Sequence, residues 1–138
     1  MKLSQIIETQ LADENHAVVS VKSSDSGYRK SPCADCPWRK DAVGVFPAEA
    51  FRLSARTAYD MSERRFGCHS SGTKRSATCA GFLLKGAYHN LAVRLDYIEG
   101  RIGDDVHDGG HELHDSYRAM AIANGVDESD PVLQDCRD

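Results

Sequence analysis

The amino-acid sequence predicts a small α+β domain that is mostly α-helical and is organised around a four-cysteine metal site, with a short strand or hairpin. Apolar residues recur at helical spacing along most of the chain, β-branched residues dominate one short stretch, and four cysteines lie between residues 33 and 79. The length of 138 residues suits one domain. We therefore expect 1–138 to be a single metal-binding domain, with an N-terminal helix and strand (1–30), a cysteine-rich core (31–103), and a C-terminal helix and tail (104–138).

The elements of the first half follow from apolar spacing and from helix-start signals. Apolar side chains three and four residues apart predict an amphipathic helix over residues 3–14. The β-branched stretch 17–21 predicts a short strand. Pro47 favours the start of a helix that is expected to continue to about Tyr59. Residues 65–68 are expected to form a short strand or an extended approach to the metal.

Helical spacing dominates the second half of the chain. One helical pattern begins near Thr78 and continues through residues 90–102. The apolar residues expected on its inner face are Leu91, Leu95, Ile98 and Ile102. Residues 111–124 predict another helix, which Gly125 is placed to cap. Pro131 is expected to end any continuation, so that a short polar tail follows.

Composition argues against several classes of function. Apolar residues make up 41% and charged residues 28%, as in soluble globular proteins. The net charge of −4 argues against broad electrostatic binding to nucleic acid or to an anionic membrane. The apolar runs are too short to span a bilayer, so no membrane partner is expected. The first residues lack the apolar region of a signal peptide, and we expect a cytoplasmic location.

The cysteines carry the strongest functional signal. Cys33 and Cys36 form a C-x2-C pair, a spacing that lets two thiolates reach one ion from a single tight turn. Cys68 and Cys79 offer two further thiolates, which could complete a tetrahedral site. Cys79 lies near a predicted helix start, where the helix dipole favours a thiolate. Zinc is the expected ion, because it is the commoner occupant of structural four-cysteine sites.

Three other interpretations of these cysteines stay open. They could be unconnected buried thiols, since free cysteine is a common core residue. The C-x2-C pair could be a catalytic dithiol, although the βαβ pattern of such proteins is missing. The four thiolates could hold a 4Fe-4S cluster, which the irregular spacing and the Cys36–Pro37 step favour.

Three more residues are candidates for the surroundings of the centre. His69 could replace a ligand or donate a hydrogen bond to a sulfur, and it could equally be a solvated or packed histidine. His89 is interpreted as a residue at a helix start or a core edge. Cys136 is expected on the surface of the polar tail, with a fifth or resolving thiol as the alternative. Trp38 and Phe66 are expected to shield the metal.

A histidine cluster predicts a weaker second site. His107, His111 and His114 could bind a metal that activates water, as in metal-dependent hydrolases. Their spacing does not match H-E-x-x-H, and exposed histidines at a polar helix start are the favoured interpretation.

Basic residues surround the cysteines. The residues are Arg39, Lys40, Arg64, Arg65, Lys74 and Arg75. With one aromatic residue, they could bind nucleic acid. Because the net charge of the chain is negative, we favour the alternative that these basic residues form a solvated rim around the metal site. In that rim, Arg39 is expected to cap a carbonyl or to pair with an acid.

Several motifs resemble those of an uncharacterised, cysteine-rich domain of unknown function found in phages and bacteria. They are Cys-x-x-Cys-Pro-Trp-Arg, Phe-x-Cys-His, Cys-Ala-Gly-Phe-Leu, His-Asn-Leu-Ala-Val-Arg and the closing Ala-Asn-Gly-Val-Asp to Cys-Arg segment, which together cover residues 32–137. The resemblance implies that the four cysteines act together. It also places His69, His89 and Cys136 inside matching segments. It brings no established activity.

The expected function is that of a small zinc-binding protein, a phage- or prophage-type accessory or protein-binding module. A closed four-thiolate shell leaves no position for substrate, which argues against an enzyme. A protein partner is expected, and nucleic acid is not favoured. The alternatives are an iron–sulfur redox or sensor protein and a metal-dependent hydrolase that uses the histidine cluster.

Overall fold

Short helices and two small sheets make up the fold, which confirms the α+β class. The computed structural model describes residues 5–12, 17–22, 27–68 and 77–137. In these ranges the strands are β1 (Gln5–Leu11), β2 (Ala17–Lys22), β3 (Gly27–Tyr28) and β4 (Ala77–Thr78), and the helices are α1 (Ala48–Ser54), α2 (Ala80–Lys85), α3 (Leu91–Ile98), α4 (Tyr117–Ala123) and α5 (Pro131–Gln134). Two 3-10 turns, Lys40–Ala42 and Ala55–Ala58, complete the described elements.

The N-terminal segment is a hairpin, so the helix predicted over 3–14 is wrong. β1 pairs antiparallel with β2, with Leu11 opposite Ala17 and Thr9 opposite Val19. The register shifts between Ile6 and Glu8, as it does at a β-bulge. The apolar spacing fits a helix, but isoleucine and threonine favour strands, and pairing with the β-branched β2 decides the conformation. The strand predicted at 17–21 is confirmed.

The predicted helix after Pro47 is confirmed. Pro47 has extended backbone geometry just before α1, and the 3-10 turn Ala55–Ala58 continues the helix directly. Phe51 is buried on the inner face of α1. Its carbonyl accepts a 2.6 Å hydrogen bond from the hydroxyl of Tyr117, the first residue of α4. This bond satisfies a fully buried phenol and joins the two helices.

The continuous helical pattern after Thr78 is interrupted, because α2 ends before Gly86 and α3 starts after Asn90. The predicted inner face is wrong in part: Ile102 is buried and Leu91 is half-buried, but the two residues between them face outward. Leu95 and Ile98 are 42% and 79% exposed, whereas the buried positions of the helix include Asp96. The buried carboxylate of Asp96 receives two arginine side chains, and this ion pair sets which face of the helix turns inward.

The C-terminal third begins its helix later than predicted. α4 starts after Ser116, whose hydroxyl caps it by accepting from the Ala119 amide. Residues 112–114 instead run antiparallel to 38–40, with Arg39 opposite Leu113. This pairing places the start of the predicted helix beside the cysteine turn.

At the C-terminal end of the described chain, the predicted cap at Gly125 is confirmed and the prediction for Pro131 is wrong. Gly125 follows α4 with a φ of 103°, as expected of a helix-capping glycine. Pro131 begins α5 rather than ending a helix, because Asp130 caps the amide of Val132 and proline suits the first helical turn.

Candidate metal centre

The C-x2-C segment forms a tight, well-supported turn. The Cys36 amide donates to the Cys33 carbonyl at 3.2 Å, and the Arg39 amide donates to the Cys36 carbonyl at 3.0 Å. The Arg39 guanidinium also donates to the carbonyls of Cys33 and Ala34, at 3.2 and 2.9 Å. Its other nitrogens bind the carboxylate of Asp41 at 2.8 and 2.6 Å. Arg39 therefore both caps carbonyls and pairs with an acid, as predicted.

Cys68 and Cys79 reach the site on paired extended segments. The Cys68 amide donates to the Ala77 carbonyl at 2.7 Å, and the Cys79 amide donates to the Phe66 carbonyl at 2.8 Å. The extended approach predicted for 65–68 is confirmed by these bonds and by the bridge between Gly67 and Thr78. Cys79 then occupies the position just before α2, at the positive end of the helix dipole.

Two of the cysteine sulfurs touch in the interior. The Sγ atoms of Cys36 and Cys79 are 3.6 Å apart, although 43 positions separate the two residues in the chain. The Cys33 thiol interacts with that of Cys36, and Cys68 lies within electrostatic range of Cys79. All four side chains belong to the buried core, each at most 8% exposed. The turn and the paired segments thus bring the sulfurs of Cys36 and Cys79 into contact and place all four cysteines, called the thiol cluster below, in one buried core.

The pKa values of the Cys36 and Cys79 thiols shift in opposite directions. The pKa of Cys36 is lowered to about 7, chiefly by the hydrogen bond from the Cys79 thiol, and the amides of Trp38 and Arg39 support the thiolate. Burial opposes this shift. The pKa of Cys79 is raised by the same shared hydrogen bond and by burial. The pKa values of the two thiols therefore depend on the one hydrogen bond that they share.

Four cysteines are a common ligand set of structural zinc sites. Across the described ranges, however, no three or more histidine, cysteine, aspartate or glutamate side chains are grouped closely enough to hold a metal ion. Tetrahedral zinc with Zn–S bonds of about 2.3 Å requires sulfur–sulfur edges of about 3.8 Å. The 3.6 Å contact between Cys36 and Cys79 is close to such an edge.

Several aromatic rings pack together in the core that contains the thiol cluster. Trp38 is fully buried, and its ring meets those of Phe66 and Tyr117 edge-on, each with centroids 5.9 Å apart. Phe82 of α2 lies 6.3 Å from the same indole. Trp38 and Phe66 each stand two residues from a cysteine of the cluster, Cys36 and Cys68. Trp38, Phe82 and Tyr117 share the buried core with the four cysteines, and Phe66 packs against that core.

The segment that leads to Cys68 has polar supports that were not expected from the sequence. Asp96 accepts hydrogen bonds from the Nε atoms of Arg65 and Arg101, both at 2.8 Å. The buried Asn90 side chain donates to the carbonyls of Arg64 and Thr57, at 2.7 and 3.2 Å. The position of Asn90 before a helical pattern was the available signal, because asparagine is a preferred helix cap.

The remaining candidate residues lie in different surroundings. His69 lies outside the described residues. His89 is half-buried in the turn before α3, where its carbonyl accepts from the Met61 amide at 2.8 Å. Cys136 is buried rather than exposed, which corrects the surface prediction. Its sulfur is directed at the Ala55 carbonyl, 3.9 Å away, because the tail packs back onto the 3-10 turn.

The three clustered histidines have distinct environments. His107 is exposed, and its Nδ1 accepts from the Gly109 amide at 3.1 Å, whereas His111 is half-buried. His114 is buried, its Nε2 atom has no hydrogen-bond partner among the described residues, and burial lowers its pKa. They do not gather into a group of three metal ligands in the part of the chain that the structure describes.

No helix among the described residues is long and apolar enough to cross a membrane.

The chain was compared with curated proteins, solved structures and family models. No curated protein and no solved structure matches the chain significantly. A family model does match, over residues 28–137, which include every cysteine of the chain. The chain therefore belongs to the family of unknown function DUF6283.

Proposed function

We propose that this chain is a small zinc-binding protein in which Cys33, Cys36, Cys68 and Cys79 hold one ion. The contact between the Cys36 and Cys79 sulfurs carries the proposal, because their 3.6 Å separation is that of two ligands sharing one zinc. Four thiolates would lose their mutual repulsion on binding a divalent cation.

The same contact favours zinc over a 4Fe-4S cluster. In such a cluster each cysteine binds a different iron, so the ligand sulfurs lie farther apart than sulfurs that share an ion. Cys36 and Cys79 are in van der Waals contact instead. An iron–sulfur redox or sensor protein is the alternative, supported by the cysteine spacing.

The proposed role of the metal is structural. Four protein ligands leave no open coordination position for a substrate, which favours a scaffold over an enzyme. When bound, zinc would cross-link the C-x2-C turn, the segment 66–68 and the start of α2. The ion would therefore stabilise the arrangement of the surface built on these elements.

We extend the proposal to a protein partner. Leu95 and Ile98 on α3 are exposed apolar side chains, and Tyr97 between them is 45% exposed. Exposed apolar and aromatic groups of this kind are common in protein interfaces. A phage or prophage accessory role is supported by the motif resemblance alone. The proposed occupant is a different protein, and dimers of the purified chain in analytical ultracentrifugation would indicate a second copy instead.

Metal analysis of anaerobically purified, untagged protein tests the centre. We expect one zinc per chain and no visible absorbance. Brown protein with iron and broad visible absorbance would replace zinc by a cluster, and protein with neither metal would refute the site.

Matched variants assign the ligands. Cys36→Ser and Cys79→Ser are each expected to reduce zinc content strongly, because either removes one of the four thiolates. Cys136→Ala is the control and should retain zinc, since that sulfur is directed at Ala55. The double replacement of His107 and His111 by alanine should also retain it. If the double histidine variant lost its zinc while Cys36→Ser retained it, the result would favour the hydrolase alternative.

A further inference from the structure

We infer that Cys36 and Cys79 are an oxidisable pair, which a hydroperoxide joins in a disulfide that expels the metal. The release of metal, which is the consequence of this oxidation, rests on the proposed function. The formation of the disulfide itself depends only on the two thiols.

The geometry favours this pair over the C-x2-C pair. The Cys36 and Cys79 sulfurs already touch at 3.6 Å, and a disulfide bond of about 2.05 Å requires them to approach by roughly a further 1.5 Å. The Cys33 thiol also contacts that of Cys36, but it donates to the Asp35 carboxylate at 3.6 Å as well, and this bond competes with that contact. Oxidation is therefore expected to link the turn to the start of α2 rather than to close the local C-x2-C loop.

The oxidation balances with hydrogen peroxide as the oxidant. A thiolate of the pair attacks one peroxide oxygen and the O–O bond breaks, which gives a sulfenic acid and a hydroxide ion that takes up one proton to become water. The second sulfur, as a thiolate, then attacks the sulfenic sulfur, the S–O bond breaks, and the leaving hydroxide takes up a second proton. In total, the two sulfurs lose two electrons, and the peroxide takes up these electrons and two protons from solvent to form two waters.

The product has lost half of the ligand set. A disulfide sulfur carries no negative charge, and the thiolate is the form of cysteine that binds metals. Cys33 and Cys68 would remain, and two thiolates are too few to close a tetrahedral zinc shell. The fully buried position of Cys36 limits access, so a small hydroperoxide is the class of oxidant that suits the site.

Limited oxidation of the zinc-loaded full chain tests the inference. One molar equivalent of hydrogen peroxide is added, zinc release is followed with a chromophoric chelator, and disulfides are mapped by non-reducing proteolysis and mass spectrometry. We expect the first linked peptides to contain Cys36 and Cys79. Zinc release should keep a one-to-one ratio with this cross-link, and dithiothreitol should reverse both. Cys136→Ala should give the same map.

Other results would overturn the inference. A first cross-link between Cys33 and Cys36, or zinc release without the Cys36–Cys79 link, contradicts it while leaving the zinc site intact. Cys33→Ser should still form the Cys36–Cys79 link, and if that variant does not fold, the wild-type map decides. Protein that is purified without metal would refute the proposed function. The peptide map of that protein would still show whether Cys36 and Cys79 form the first disulfide.

Discussion

The indole of Trp38 lies against α2 at the place where Gly81 has no side chain. A Cβ atom on Gly81 would lie 2.4 Å from the Cβ of Trp38, and one on Gly86 would lie 2.4 Å from the far edge of the ring. The two glycines therefore create the surface on which the ring lies. Trp38 follows the C-x2-C turn, and α2 follows Cys79, so this contact joins the two halves of the cysteine cluster.

Gly81→Ala should lower the free energy of unfolding by about 2 kcal/mol. The clash with a backbone-anchored Cβ costs about 3 kcal/mol, and the better helix propensity of alanine returns about 1. Urea unfolding measures the difference. Gly27→Ala is the control, because a Cβ at Gly27 meets nothing within 4 Å. Equal effects of the two substitutions would contradict the role of the contact.

Asn90 should be one of the most sensitive polar residues in the core. Its Oδ1 atom accepts from the Val93 amide at 3.0 Å, and its amide group donates to two carbonyls, those of Thr57 and Arg64. Asn90→Ala loses the cap and both donated bonds, and should cost about 3 kcal/mol. Denaturant unfolding should show at least as large a loss for Asn90→Asp, because its second carboxylate oxygen would be buried against the two carbonyl oxygens without a donor.

A second helix cap provides the comparison for Asn90. Ser116→Ala removes only the cap of α4 and should cost about 1 kcal/mol. If Asn90→Ala cost no more than this, the donated bonds would contribute nothing to stability.

The Asp96 ion pair should make the protein sensitive to acid. Burial alone would raise the pKa of Asp96, but hydrogen bonds and charge from Arg65 and Arg101 outweigh it and lower the pKa. The resulting stability is therefore fully present above the unfolded pKa of about 4, and it is lost as the pH falls through the lower folded value.

Asp96→Asn tests this dependence by removing the charge. Breaking a buried pair costs about 3 kcal/mol at neutral pH. Urea unfolding at several pH values should show that the difference between wild type and variant narrows below pH 4, within the interval between the two pKa values. A difference that stays constant down to strongly acidic pH would mean that the charge of Asp96 is not the stabilising feature.

Arg39 should act on metal affinity through the shape of the turn. Arg39→Lys loses the planar group that donates to the Cys33 and Ala34 carbonyls while binding Asp41. If the cysteines hold zinc as proposed, competition with a chromophoric chelator should show at least tenfold weaker binding, as for other residues that orient metal ligands. Arg52→Lys is the control, because Arg52 pairs with Glu49 and Asp130. An unchanged affinity in Arg39→Lys would assign the turn geometry to the backbone alone.

Local signals in the sequence predicted several features well. The β-branched strand at 17–21, the helix after Pro47 and the glycine cap at Gly125 depend on intrinsic preferences of single residues or short stretches. The role of Arg39 at the C-x2-C turn was likewise predictable, since its carbonyl partners are five and six residues away. Interactions of this range leave a pattern in neighbouring residues.

Long-range pairing decided the rest. The apolar pattern over 3–14 fits a helix, yet a partner strand makes it β1. The pattern of α3 indicates that Leu95 and Ile98 face inward, yet Arg65, 31 positions away, pairs with the buried carboxylate of Asp96. Cys136 lies in a polar tail by sequence, yet that tail packs beside Ala55. Each outcome depends on a residue distant in the chain.

By itself, therefore, the sequence determined the α+β class, the C-x2-C turn and the choice of four cysteines as candidate ligands, because spacing and residue type carry these signals. Only the tertiary structure decided that the sulfurs of Cys36 and Cys79 meet, and that an indole on two glycines holds their segments together. The physical reason is that both contacts join segments about forty residues apart. Packing of the whole core sets their distance, and no local preference encodes it.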